Sequence, residues 1–308
     1  MEPGSGLLRI DTQTAKSPLS GGTMRLLIRG IVLGIWLLAI PAAANAQSGS
    51  NEAQQDRFQR TFTTSPGATV SIENYKGTIH VTATDSNQVT VDVHKIFDGS
   101  SSDRKWWMEN LKINFTNSPD RVRVKVEYPT MTCMFCWQNW ESAVELEVKV
   151  PRQVNVDLDG YKPDIKVSGI HGDLFVKSYK APMLIEGTTG SIRIDTYKDT
   201  LRLRDVSITH DLSVKSYKAD LEIDARSLGQ SARLENYKGD IILQVPAGAG
   251  FDLDFDGGRH SSFHSDFPLN SNTGYSGTRV RATINKGGSH LDLHTERGTV
   301  ELRKGRVN

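Results

Sequence analysis

The sequence predicts an all-β chain wound as a β-solenoid, and three observations carry that prediction. Six of the eight tyrosines are followed by lysine: Tyr75, Tyr161, Tyr179, Tyr197, Tyr217 and Tyr237. The last five recur at intervals of 18, 18, 20 and 20 residues. Around each tyrosine, apolar residues alternate with polar ones at period two. A fixed period of this length marks stacked structural units, and period two marks strands buried on one face.

Aligning the copies on tyrosine locates the core. Three residues before it stand Ile72, Leu158, Val176, Ile194, Val214 and Leu234; five before stand Val70, Val156, Leu174, Ile192, Leu212 and Ala232. Four after stand Ile79, Ile165, Met183, Leu201, Leu221 and Ile241; six after stand Val81, Val167, Ile185, Leu203, Ile223 and Leu243. Inward positions are odd before the tyrosine and even after it. A straight strand keeps its parity, so the chain must bend at Tyr-Lys. The residues one before and two after are small or turn-forming, as a corner requires. Two short strands and two bends make one coil of 18–20 residues, and stacked coils bury a continuous core. Two residues before tyrosine the charge alternates through Asp159, Lys177, Asp195, Lys215 and Glu235, which suits neighbours in a parallel ladder.

The N-terminus reads differently. Residues 26–40 are apolar apart from Arg29 and two glycines, Pro41 ends the run, and Ala44-Asn45-Ala46 supplies small residues for cleavage before Gln47. This predicts residues 1–46 to be an extension plus a cleaved secretory signal. The core is short for a spanning helix, so no stable membrane anchor is expected after cleavage. Residues 47–68 are polar without apolar period and are expected to be a mobile lead-in. Residues 69–308 form one solenoid domain with an insertion at about 95–150.

Within the insertion, Ser102-Asp103 can cap a short helix running to Leu111. Val122, Val124 and Val126 alternate with Arg121, Arg123 and Lys125; Val144, Leu146, Val148 and Val150 alternate with Glu145, Glu147 and Lys149. Their complementary outer faces suggest an antiparallel hairpin joined by residues 128–141. At the other end, Leu291, Leu293, Val300 and Leu302 hold the core offsets around Glu296-Arg297, which reads as a last coil without its tyrosine.

Charge and motifs limit the function. The 308 residues carry a net charge of +1, which argues against a strongly cationic nucleic-acid binder. Cys133 and Cys136 are the only cysteines. In an exported chain this pair suits a local disulfide. A thioredoxin-like role needs a helix N-terminus in a βαβ setting, and zinc needs two further ligands, for which His260 and His264 have the spacing but lie far off. Trp106, Trp107, Trp137 and Trp140 gather four of the five tryptophans; they either cover the open end of the coil stack or form an exposed aromatic patch. No nucleophile-elbow, phosphate-loop or zinc-protease motif is present, and no cofactor is implied. Asp252, Asp254, Asp256, Arg259, His260 and His264 form the densest ionisable group, on what reads as a solvated strand face.

The Tyr-Lys pairs Tyr161-Lys162, Tyr179-Lys180, Tyr197-Lys198, Tyr217-Lys218 and Tyr237-Lys238 admit two readings. Stacked rings can stabilise the coil edge, with lysine stems laid along them. Alternatively, the row of cations beside aromatic rings is a ligand-binding ladder for an anionic glycan or envelope polymer.

The chain resembles the exported bacterial β-solenoid group labelled "putative adhesins", a domain of unknown function. The resemblance runs from about Thr61 to Lys304. It rests on Val70-Ser-Ile-Glu-Asn-Tyr-Lys-Gly-Thr-Ile79, the Val150-Pro151 opening of the repeated strands, Ser265-Asp-Phe-Pro-Leu269 and Arg297-Gly-Thr-Val-Glu-Leu-Arg303. It implies a right-handed β-helix-like domain at the cell envelope, periplasmic or surface-exposed, with no catalytic residues to carry over. The expected function is non-catalytic interaction. A polysaccharide-processing β-helix enzyme and a structural or regulatory periplasmic scaffold are the alternatives.

Overall fold

The computed structural model describes residues 56–130, 140–269, 274–276 and 278–305. The chain divides into units at Met1–Ala46 and Gln47–Asn308, and the described residues lie in the second. The expected signal segment, Cys133, Cys136 and Trp137 therefore lie outside the described residues. Among those described, no helix is long and apolar enough to cross a membrane.

Among the described residues the fold is all-β with one short helix, and sixteen strands join one hydrogen-bonded sheet system. Its central part is built from the repeat copies, paired side by side in parallel. β2 (Thr69–Thr84) pairs with β7 (Asn155–Ser168), and β7 pairs with β8 (Leu174–Lys180) and β9 (Met183–Glu186). β8 and β9 pair with β10 (Thr189–Leu228), which holds two copies. β10 pairs with β11 (Ser231–Lys238) and β12 (Ile241–Pro246), and both of these pair with β16 (Ser289–Gly305).

The register matches the offsets read from the sequence. Val156, Leu158, Ile165 and Val167 face Leu174, Val176, Met183 and Ile185 of the next copy. All the inward positions named above are at most 4 % exposed. Within β7 the buried residues are Val156, Leu158 and Gly160, then Pro163, Ile165 and Val167, with Tyr161 and Lys162 both exposed between them. The parity change is thus a pair of consecutive outward residues.

The ends depart from expectation in three ways. β5 (Arg121–Glu127) and β6 (Glu141–Pro151) do not pair with each other. Both pair in parallel with β2, β5 along its first half and β6 along its second. Val122 and Val124 stand opposite Val70 and Ile72, and Leu146 and Val148 opposite Ile79 and Val81. The expected hairpin is therefore two halves of one further copy, cut at its corner. Complementary charges favoured pairing the two segments, but the stronger constraint is burial of both apolar faces against β2.

Second, residues 57–63 form β1 (Arg57–Thr63), antiparallel to β3 (Gln88–Asp98), within the segment expected to be mobile. Phe58 and Phe62 pack there at Phe115. β3 in turn runs antiparallel to β6, and β4 (Lys112–Ser118) antiparallel to β5. Helix α1 (Ser101–Asn110) precedes β4; its N-cap is Ser100, whose Oγ accepts from the Asp103 N–H at 3.2 Å.

Third, β16 is not the terminal copy. β13 (Phe251–Ser265) pairs with its far side, and β15 (Arg279–Ile284) and β14 (Gly274–Ser276) continue antiparallel beyond. The C-terminal strand slots between earlier segments because its apolar offsets then have partners on both sides. At both ends the parallel stack gives way to antiparallel strands, which limits open edges.

Candidate functional site

The six Tyr-Lys pairs come together on one edge. Adjacent tyrosine rings along the order Tyr75, Tyr161, Tyr179, Tyr197, Tyr217, Tyr237 lie 4.8, 4.7, 4.8, 4.9 and 4.8 Å apart, centroid to centroid. Their planes differ by 6, 1, 10, 17 and 3°. The spacing is that of neighbouring strands, so parallel pairing alone sets the column. Tyr75 joins it across 86 residues of sequence from Tyr161. Tyr128 abuts Tyr75 at 5.9 Å, and the Arg297 guanidinium lies 5.9 Å from the Tyr237 ring centroid. Each ring face is thus covered by its neighbour, and the rings stay 37–51 % exposed.

Two backbone solutions build this corner. At Gly77, Asp199, Gly239 and Gly298 the residue two after the tyrosine position has φ of 116, 107, 125 and 139°. The residue one before it is then Asn74, Thr196, Asn236 or Thr295. At Pro163, Ala181 and Ala219 φ is ordinary, the side chain is buried, and the residue one before is Gly160, Ser178 or Ser216. Either the earlier or the later residue fills the inside of the bend. In the first type, Asn236 Nδ2 donates to the Ala219 carbonyl at 2.7 Å and Asn74 Nδ2 to the Val144 carbonyl at 2.8 Å. The Glu296-Arg297 copy turns the same corner with no tyrosine. The bend therefore does not require the ring.

The lysines stand in register: Lys76 opposite Lys162, Lys180 opposite Lys198, Lys218 opposite Lys238, and Lys238 opposite Arg297. Lys76 is 3.7 Å from Glu141. Among the described residues, Lys162, Lys180, Lys198, Lys218, Lys238 and Arg297 have no carboxylate within ion-pair distance. The Lys162 and Lys218 ammonium groups lie 5.3 and 5.2 Å from the ring centroids of Tyr161 and Tyr217. Nearby carboxylates are engaged elsewhere: Asp220 Oδ1 accepts from the Asp240 N–H at 3.2 Å, and Asp240 Oδ1 from the Thr299 N–H at 2.8 Å. Two residues before the tyrosines the signs alternate by register, and Lys215 pairs with Glu235 at 3.5 Å.

The remaining candidate residues flank the ends of this edge or lie away from it. Trp107 is fully buried under the end strands, with Phe97 between it and Trp140 at 5.5 and 4.9 Å; Trp106 and Trp140 are half-buried. Trp107 therefore belongs to the packing of that end and not to an exposed patch. Among the described residues, the large exposed apolar side chains are the six tyrosines. The Asp252, Asp254 and Asp256 row is matched by Thr283, Arg281 and Arg279 at 2.8, 3.0 and 2.7 Å. His260 and His264 stand opposite Arg297 and Glu301, and no described group of three or more His, Cys, Asp or Glu could hold a metal ion. Tyr128 was not singled out from the sequence. Its hydroxyl donates to the Lys76 carbonyl at 2.5 Å, and burial pushes its ionisation above the usual phenol range.

No family model matches the chain, and no curated protein matches it. Solved structures similar to it are described as adhesins. A putative cell adhesion protein from Clostridium sporogenes is 6 % identical over 81 % of this chain and 100 % of its own, with a TM-score of 0.35. A putative adhesin from Bacteroides fragilis is 8 % identical over 82 % of this chain and 99 % of its own, with a TM-score of 0.40. One from Parabacteroides distasonis is 7 % identical over 81 % and 98 %, with a TM-score of 0.32.

Proposed function

We propose that this chain is an exported β-solenoid of the cell envelope that acts without catalysis, by docking an anionic polymer along its Tyr-Lys edge. The observation that carries the reading is a row of six exposed cations in strand register, none with an ion-pair partner among the described residues, beside an exposed tyrosine column. Like charges facing each other along a ladder cost stability, and the Glu296-Arg297 copy turns the corner without tyrosine. The arrangement is therefore more than the bend needs. A bound polyanion would offset the repulsion, and many weak contacts along one chain would add up. The parallel, in-register pairing of copies supports the solenoid, and its export supports a disulfide between Cys133 and Cys136.

Retention on an immobilised acidic glycan should be salt-sensitive and lost when Lys180, Lys198 and Lys218 are changed together to glutamine. Absence of retention on any envelope polyanion would sink the reading. Time-dependent fragmentation of the glycan would instead favour the polysaccharide-processing alternative.

A further inference from the structure

We infer that the polymer is a linear polyuronate lying along the tyrosine column, perpendicular to the strands, with one carboxylate per copy. The inference rests on the polymer-docking reading and adds ligand class, direction and length. Three features select it.

The first is direction. A chain lying along a strand would meet a single Tyr-Lys pair, because each copy crosses the edge once. A chain lying along the column meets all of them. The tyrosine column spans about 24 Å from Tyr75 to Tyr237, at the spacing of neighbouring strands.

The second is the kind of contact. Sugar-binding aromatics usually offer a ring face to the apolar face of a pyranose. Here the faces are taken by the next ring or, at Tyr237, by the Arg297 guanidinium. The exposed ring edges carry the positive part of the aromatic quadrupole, and the phenolic hydroxyls can donate. With the ammonium groups beside them, they form a surface that favours carboxylates and does not favour neutral sugars.

The third is the repeat. The cations recur once per strand. A 1,4-linked chain of uronic acids carries one carboxylate per pyranose, a repeat set by the width of one ring and close to the strand spacing. A polyphosphate carries its charges much more closely. A glycan with uronate at alternate sugars carries them twice as far apart. Lys76 is paired with Glu141, so the available cations are Lys162, Lys180, Lys198, Lys218, Lys238 and Arg297. The site accordingly takes six uronates.

Calorimetric titration at low ionic strength with oligogalacturonates of two to ten units tests this. Affinity should rise roughly two- to fivefold per added unit, as exposed ion pairs allow, and level off at six. Carboxyl-reduced oligomers should not bind, and Lys198→Gln should weaken the hexamer while leaving the circular dichroism spectrum of the free protein in place and its melting temperature no lower. Equal affinity for polyphosphate and oligogalacturonate at matched charge, or a rise continuing past six, overturns the register claim and leaves polyanion docking standing. Binding of no polyanion at all overturns both.

Discussion

Gly160 and Pro163 occupy one space inside the first bend of β7. A Cβ added to Gly160 would lie 2.8 Å from Pro163 Cδ and nearer still to Cγ. The rigid proline ring cannot swing away, so Gly160→Ala should destabilise by about 1–3 kcal/mol, the range for overpacking. Restoring the other corner type, Gly160→Asn with Pro163→Gly, should recover much of the loss, because it recreates the Asn74 and Gly77 pairing found in the adjacent copy. Urea unfolding of the two single variants and the double variant measures the coupling. Additive losses would show that the two positions do not trade volume.

Asp199 is the non-glycine member of the corner type with positive φ. Its φ of 107° matches 116, 125 and 139° at Gly77, Gly239 and Gly298, in a region that side chains rarely adopt. Asp199→Gly should therefore stabilise the fold by about 1 kcal/mol, despite losing the 2.9 Å bond its Oδ1 accepts from the Thr200 N–H. A lowered melting temperature would mean that this bond outweighs the strain.

Much of this corner was legible in the sequence. Leu158, Tyr161 and Ile165 declare the parity change by themselves, since a one-residue phase slip between apolar runs has no straight-strand solution. Local periodicity does not, however, choose partners. Val122 and Leu146 display the same alternation whether they pair with each other or flank β2, and long-range burial decides between these. Leu291 and Leu293 likewise reveal a copy, but not that Phe251 and Leu253 lie beyond it. The Tyr-Lys column was visible as a count; what needed coordinates was that Tyr75 joins it and that Glu141 takes Lys76 out of the cation row.

Tyr128 should make stability fall in alkali. Burial, the dominant cause, keeps its phenol protonated in the folded protein above the usual range, while in the unfolded chain it ionises near pH 10. Above that pH the unfolded state binds one proton fewer, so unfolding becomes easier by up to about 1.4 kcal/mol per pH unit from this residue alone. Below pH 10 the contribution is constant. Chemical denaturation at pH 8, 10 and 11 should show a smaller alkaline decline in Tyr128→Phe than in the parent protein. Identical declines would remove Tyr128 as their source.

Lys198 separates a structural ladder from a binding one. It faces Lys180 across the parallel pairing, and the ring beside it stacks between Tyr179 and Tyr217. Lys198→Glu replaces like charges by opposite ones at the strand spacing, so stability should rise by about 0.2–1 kcal/mol. If the cation row exists to hold a polyanion, the same change should lower retention on polyuronate, because it removes one contact and places a carboxylate opposite the ligand. Gain in melting temperature and loss of retention must then occur in one variant. A row kept only for the stability of the edge would instead give a lower melting temperature. A row without a polyanion ligand would leave retention where it was. The opposite signs make the experiment decisive, since a merely misfolded variant cannot be both more stable and less retentive.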